Sequence, residues 1–378
     1  MSSLLLDPSV IDASNLTPRQ TSAIYLPIGV EAQADNAGSA DVATPYVISR
    51  VDEAATYFGV ASTLTVLCKA ILDRGAGPVL AVASAKGSTP TLTQRQAAWA
   101  ILESDTTVRI RLTGSMLQAE IDALSGSAVN ANLIYNKQVA IAGMPSGTTK
   151  ANLIAAAAAI TPANASRLVL VGPGVYDNDG NLRDGNYAAA CVAAEIAKNA
   201  DPSNDLDLWP VQQLSGVETD AAGLPVFMRK VVAGVAVDDY EDLLQAGISP
   251  LQPARFGGGV QTTHLRTAAI ADGTWDNLYT RIIVDQIFLD VKDYILDNNY
   301  LRLGNTEGTR ARIKSGVEAL LAERASWIST VTQPDGTQGY AVTVESSPDN
   351  RQITVGYQGT VVRGISTIQV AANLTIPV

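Results

Sequence analysis

Apolar residues recur along this chain with two periods, and the most regular stretch of the shorter one comes last. From Ser366 to Ile376, the residues Ile368, Val370, Ala372, Leu374 and Ile376 alternate with Thr367, Gln369, Ala371, Asn373 and Thr375. Strict alternation predicts a half-buried strand. A strand at the end of a chain needs a sheet to join: that of its own body, or that of a neighbouring subunit. Two shorter alternations precede it, Tyr340–Val342–Val344 and Ile353–Val355–Tyr357, separated by a turn at Ser347–Asn350. Together the three predict a C-terminal β meander.

Upstream the longer period dominates. Trp275, Leu278, Tyr279, Ile282, Ile283, Ile287, Val291, Tyr294 and Ile295 predict an amphipathic helix capped by Thr274 and stopped at Asn298–Asn299. Ile313, Val317, Leu320, Leu321 and Ile328 predict a second helix from Thr309 to Ile328. Between Pro45 and Asn199, short apolar strands (78–85, 107–112, 139–142, 168–171) alternate with helices (62–73, 93–103, 116–124, 150–160, 185–199). That alternation implies an α/β (α+β) class, a layered strand–helix body with the sheet covered on its faces. The alanine run Ala155–Ala159 predicts a closely packed helix. A strand is expected at 24–30, followed by a loop from Glu31 to Pro45. Residues 2–21 hold Leu4, Leu5, Leu6, Val10, Ile11 and Leu16, broken by Pro8 and Pro18, without a sustained period. They read as an extended apolar arm, and apolar side chains left in water are costly, so the arm is expected to dock.

Composition narrows the function. The chain has 378 residues, 47% hydrophobic and 17% charged, with a mean hydropathy of +0.13. A net charge of −11 argues against direct nucleic-acid contact, which needs clustered Lys and Arg. The N-terminus lacks the basic and apolar regions of a signal peptide, and no run reaches membrane-spanning length, so no membrane insertion is expected. Cys68 and Cys191 sit in apolar surroundings and read as buried small hydrophobes.

Candidate chemistry is sparse. His264 is the single histidine, with no nucleophile elbow elsewhere for a triad. Gly172-Pro173-Gly174 follows a strand, as phosphate loops do, but lacks the third glycine and the Gly-Lys-Ser/Thr. Pro173 also removes an N–H that a cradle would use. Asp177, Asp179, Asn181 and Asp184 resemble calcium ligands, but Gly180 precedes the third of them, the wrong order for an EF-hand. The expectation is therefore no catalytic residue, no metal and no cofactor. A small-molecule-binding α/β enzyme using the Gly172-Pro173-Gly174 turn is the rival from another class.

Several landmarks in order resemble the tail sheath proteins of contractile bacteriophages and R-type pyocins. They are Tyr57–Ser62 with Arg74–Leu80, Val171–Val175 with Gly185–Ala190 and Asp201–Pro202, Gly247–Pro250 with Gly257–Val260, and Trp275–Asp297 before the meander. The resemblance implies a structural, non-enzymatic subunit that stacks as six-fold rings around a tail tube, alongside baseplate and tail terminator proteins. It also implies a place in a virion's contractile tail, assembled in the host cytoplasm. It implies an N-terminal linking arm (1–24), an outer α/β domain (25–200), an inner tube-facing domain (201–365) and a C-terminal linking strand (366–378). Leu4, Leu5, Leu6, Ile368, Val370, Leu374 and Ile376 would then exchange strands between subunits. Pro18, Arg363 and Gly364 would be hinges, and Arg310, Arg312 and Lys314 would face the tube.

Overall fold

In a computed structural model, the structure describes residues 26–199, 206–233, 235–254, 259–271, 275–325, 327–329, 339–348, 352–359, 361 and 374–377. The first half alternates as expected: β1 (Ile28–Ala34), β2 (Pro45–Ile48), α1 (Val51–Phe58), α2 (Thr63–Leu72), β3 (Val79–Lys86), α3 (Leu92–Ser104), β4 (Ile110–Thr113), α4 (Gln118–Leu133), β5 (Val139–Gly143), α5 (Lys150–Ala158), α6 (Pro162–Ala165), β6 (Leu168–Gly172). A small hairpin follows, β7 (Val175–Asp177) and β8 (Leu182–Arg183), then α7 (Gly185–Lys198). Beyond it come β9 (Pro210–Val211), β10 (Leu214–Val217), β11 (Arg229–Val232), β12 (Val235–Asp238), α8 (Asp239–Gln245), β13 (Ile248–Pro253) and β14 (Val260–Thr262). The chain closes with α9 (Leu278–Asp297), α10 (Glu307–Glu323), β15 (Tyr340–Ser346), β16 (Gln352–Gly359) and β17 (Leu374–Pro377).

One nine-stranded sheet organises the body, in the order β2-β3-β1-β4-β5-β6-β13-β14-β9. Its centre, β3 to β13, is parallel, while β2 with β3, β14 with β13 and β9 with β14 pair antiparallel. Alternate residues of β5 and β6 feed two cores. Val139, Ile141, Val169 and Val171 pack with α2 and α7, while Ala140, Ala142, Leu168 and Leu170 pack with α4, α5 and α8. A parallel sheet covered on both faces buries nearly every side chain, which is why its strands read as unbroken apolar runs.

The expected boundary at 200/201 does not separate two sheets. β13, β14 and β9 all lie beyond it and extend the sheet begun at β1. The division in the cores falls inside α9 instead. Leu278, Tyr279 and Ile282 pack into the body, whereas Ile283, Val284, Ile287, Val291 and Ile295 join a third core with α10 and the C-terminal strands.

Helix starts follow local chemistry. Ser62 accepts from the Thr65 N–H, and Thr91 and Gln94 form a reciprocal capping box. α4 runs nine residues past the expected stop at Leu124, through Ser125-Gly126-Ser127. Burial of Ala128 and Ala131, and a Ser125 hydroxyl donated to the Asn164 carbonyl, override the weak propensity there. α5 differs the other way: Ala155, Ala158 and Ala159 are exposed, so within this chain the alanine run is not closely packed.

The expected loop from Glu31 is also corrected. β1 continues to Ala34, and Glu31 is fully buried. Its carboxylate accepts from Ser84, Arg95 Nη1 (2.7 Å), Trp99 Nε1 (3.1 Å) and Thr113 (2.7 Å). Donors on both carboxylate oxygens are what make a buried charge tolerable.

Cys68 and Cys191 are free and fully buried, and burial pushes both thiols up to about 12. The end of β5 meets the start of α7 backbone to backbone. A Cβ on Gly185 would lie 2.0 Å from the Met144 carbonyl oxygen, and one on Gly143 1.9 Å from the Gly185 carbonyl carbon. Gly185→Ala is therefore expected to destabilise the fold by about 1–3 kcal/mol or more, because backbone must move to admit the methyl. Chemical denaturation measures it, and an unchanged midpoint would contradict this packing.

Candidate assembly surface

The C-terminal body is built from two capped helices and the meander. Asn277, three residues beyond the expected Thr274, caps α9 by accepting from the Tyr279 and Thr280 N–H groups. Thr306 caps α10 through the Thr309 N–H, so that helix spans Glu307–Glu323 rather than 309–328. Their apolar stripes meet Val342 of β15 and Ile353, Val355 and Tyr357 of β16. Arg324, at the C-cap of α10, donates from Nε and Nη2 to Asp290 of α9 (2.9 and 2.6 Å) and holds the two helices together.

A buried ion pair ties α9 to the main body. Arg167, just before β6, meets Asp285 in a two-pronged bridge (Nη1–Oδ2 2.7 Å, Nη2–Oδ1 2.9 Å). Arg167 also donates to the Gln138 carbonyl and to Asn132. Burial pushes the Asp285 carboxyl up, but Arg167, with Arg281 and Lys137 behind it, outweighs burial and leaves it below the ordinary carboxylate value. Burial pulls the neighbouring Lys137 down to about 8, and its ammonium lies 3.9 Å from the centre of the Phe288 ring.

The meander is antiparallel, in the order β15-β16-β17. β17 pairs with β16 over four residues: Leu374 lies opposite Val355, and Ile376 opposite Ile353. The terminal strand thus sits at a sheet edge of its own chain, where the resemblance places it on a neighbour.

Comparison with solved structures decides what this architecture is. The sheath tail protein from Desulfitobacterium hafniense superimposes with a TM-score of 0.68 at 13% identity, covering 93% of this chain and 97% of that one. The sheath tail protein from Listeria innocua gives 0.65 at 12% identity over 93% and 96%. The helical sheath of the anti-feeding prophage in its contracted state gives 0.63 at 14% identity over 99% of both chains. The chain has a tail-sheath fold. No protein-family model and no curated protein sequence matches it.

Within this sheath fold, the predicted residues divide into three groups. Leu4, Leu5, Leu6, Pro18, Arg363, Gly364, Ile368 and Val370 lie outside the described residues. Leu374 and Ile376 are on β17. Arg310, Arg312 and Lys314 lie in the first half of α10, with Arg312 and Lys314 exposed. Arg310 is half-buried and donates to Asn305 (2.8 Å), and Lys314 reaches toward Glu318 at 3.9 Å. Arg312 is the most available of the three.

The rival site is already filled. The Glu218 carboxylate accepts from the Gly174 N–H (3.0 Å) and the Gly147 N–H (2.6 Å), so the donors that a phosphate would need on this turn are occupied. Nothing in the local sequence signals this, because Glu218 is 44 residues away. The Asp177 carboxylate is likewise taken by Arg183 (2.7 Å) and by the Asp179 and Asn181 N–H groups (3.0 and 2.9 Å). His264 contacts Asp207. Among the described residues, no group of three or more His, Cys, Asp or Glu side chains is arranged to hold a metal, and no helix is long and apolar enough to cross a membrane.

Proposed function

We propose that this chain is the structural subunit of a contractile sheath. It polymerises as stacked six-fold rings around a tail tube, and contraction drives the tube through a host envelope. The observation that carries the reading is the superposition on sheath proteins along nearly the whole chain. The filled Gly172-Pro173-Gly174 turn supports a structural role over small-molecule chemistry. The tube protein, baseplate and terminator are the partners of this reading, and a virion-type tail assembled in the host cytoplasm is its location.

In this reading β17 leaves its own β16 and fills the same slot on a neighbour, and the arm at 1–24 adds a second link. The register supports it, because any copy's Leu374 and Ile376 match Val355 and Ile353 equally well. Burying each large apolar side chain gains about 1.5–3 kcal/mol, and ordering the arm costs about 1–2 kcal/mol per residue. One exchanged strand is therefore weak, while two per subunit in a closed lattice hold through multivalency. Turning at Pro18, Arg363 and Gly364 would let bodies repack while strands stay joined, so contraction needs no hydrolysis.

Electron microscopy of the purified full chain tests the proposal. Striated tubes at high concentration are the expected result, and a discrete small oligomer would overturn it. The exposed cations of α10 are assigned to the tube side, where the helix N-terminus disfavours positive charge unless a partner uses it. Arg312→Glu with Lys314→Glu should weaken co-assembly with the tube at least tenfold and leave tube-free sheath intact. Unchanged co-assembly would remove that assignment.

A further inference from the structure

Two apolar surfaces have no partner among the described residues, and they are of opposite shape. The projecting one is the β11–β12 ribbon, paired Arg229↔Asp238, Lys230↔Val237, Val231↔Ala236 and Val232↔Val235. Among the described residues neither of its edges has a further strand. Val231 is 72% exposed, Val235 64% and Val232 50%. A lone two-stranded ribbon is marginal in water, and exposed valines on it are a liability without a partner. The recessed surface is an open groove of about 700 Å3 between α5, α6, α8 and the segment before Ala271, lined by Ala157, Ala158, Ile160, Ala246, Ala268 and Ile270. The exposed alanines of α5 lie along the same helix.

We infer that the valine ribbon of one subunit seats in the alanine-lined groove of a second copy of this chain. The inference deepens the self-assembly reading and rests on it. Small side chains let a ribbon approach the groove floor closely, and Val232 and Val235, paired across the ribbon on one face, supply the matching bulk. The charges agree in sign. Arg229 and Lys230 against Asp238 leave the ribbon one positive charge in excess, while Asp239, Glu241 and Asp242 of α8 against Lys150 leave the groove lip two negative. Opposite local charge lets chains of net charge −11 meet here. A ribbon tip carrying a few exposed valines is a small contact, short of the ~800 Å2 per partner of a stable pair. The contact is therefore too small for a free dimer and suited to repetition. Knob and recess are different surfaces, so the join is head-to-tail and can propagate into a filament.

Cysteine pairing between full-length chains tests it, helped by the burial of both native thiols. Val232→Cys and Ala158→Cys chains are made separately, mixed and oxidised, so that only intermolecular bonds count. A disulfide-linked pair holding one of each should form at least tenfold above a Val47→Cys plus Ala158→Cys control. Val232→Asp with Val235→Asp should leave the melting temperature unchanged and cut polymer yield at least tenfold. Cross-linking at the control level, or unchanged polymer from the aspartate variant, overturns the contact. Tubes that form with neither effect sink this contact and leave the sheath reading standing. A specific cross-link from a chain that never forms tubes does the reverse.

Discussion

Asp285→Ala is expected to cost the folded protein about 3–5 kcal/mol, because it leaves the Arg167 guanidinium buried and short of its carboxylate. The pair is also the charged tie between α9 and the main body, so the loss should loosen the C-terminal core first. Denaturant unfolding with a probe in each core would show two transitions where the unaltered chain shows one. A midpoint within error of the unaltered chain would contradict the bridge. The double change Arg167→Met with Asp285→Leu should recover much of the loss, since neither charge is then left alone. The pH dependence follows from the lowered Asp285 value. A folded carboxyl below its unfolded value contributes stability that is complete above about pH 3.9 and is lost as pH falls through the folded value. The acid limb of the stability curve should therefore flatten in Asp285→Leu.

Removing residues 366–378 is expected to abolish polymers and leave a folded chain. β17 contributes four residue pairs at one edge of a sheet whose other two strands share a seven-residue ladder and a core with α9 and α10. Circular dichroism with sedimentation distinguishes the outcomes: a cooperative monomer supports exchange, and an unfolded product would mean the strand serves its own body. A truncated chain that still forms tubes would sink the linking role altogether.

Much of the molecule was legible because its signals are local. Ser62, Thr91 and the apolar stripes of α9 and α10 announce their helices, and the alternation at 340–344 and 353–357 announces the meander. The readings that failed involve partners distant in sequence. Glu31 reads as loop because nothing nearby shows Arg95, Trp99 and Thr113 converging on it. The Gly172-Pro173-Gly174 turn already reads as a poor cradle, but only the structure shows Glu218 in it. Nor does any local stretch announce that β13 pairs with β6 from across position 201. The alanine run of α5 satisfies helix propensity whether or not anything packs on it.

What the sequence by itself determined is most of the strand–helix alternation up to α7, the helices α9 and α10, the C-terminal meander and the layered α/β class. Those follow from side-chain period and from residue types that either are present or are not. Only the tertiary structure decided which charges are neutralised, where the cores divide, and which apolar surfaces are left facing water. Each of these depends on contacts between segments tens to a hundred residues apart, and hydrophobic burial, being non-directional, does not encode such pairings in any local stretch.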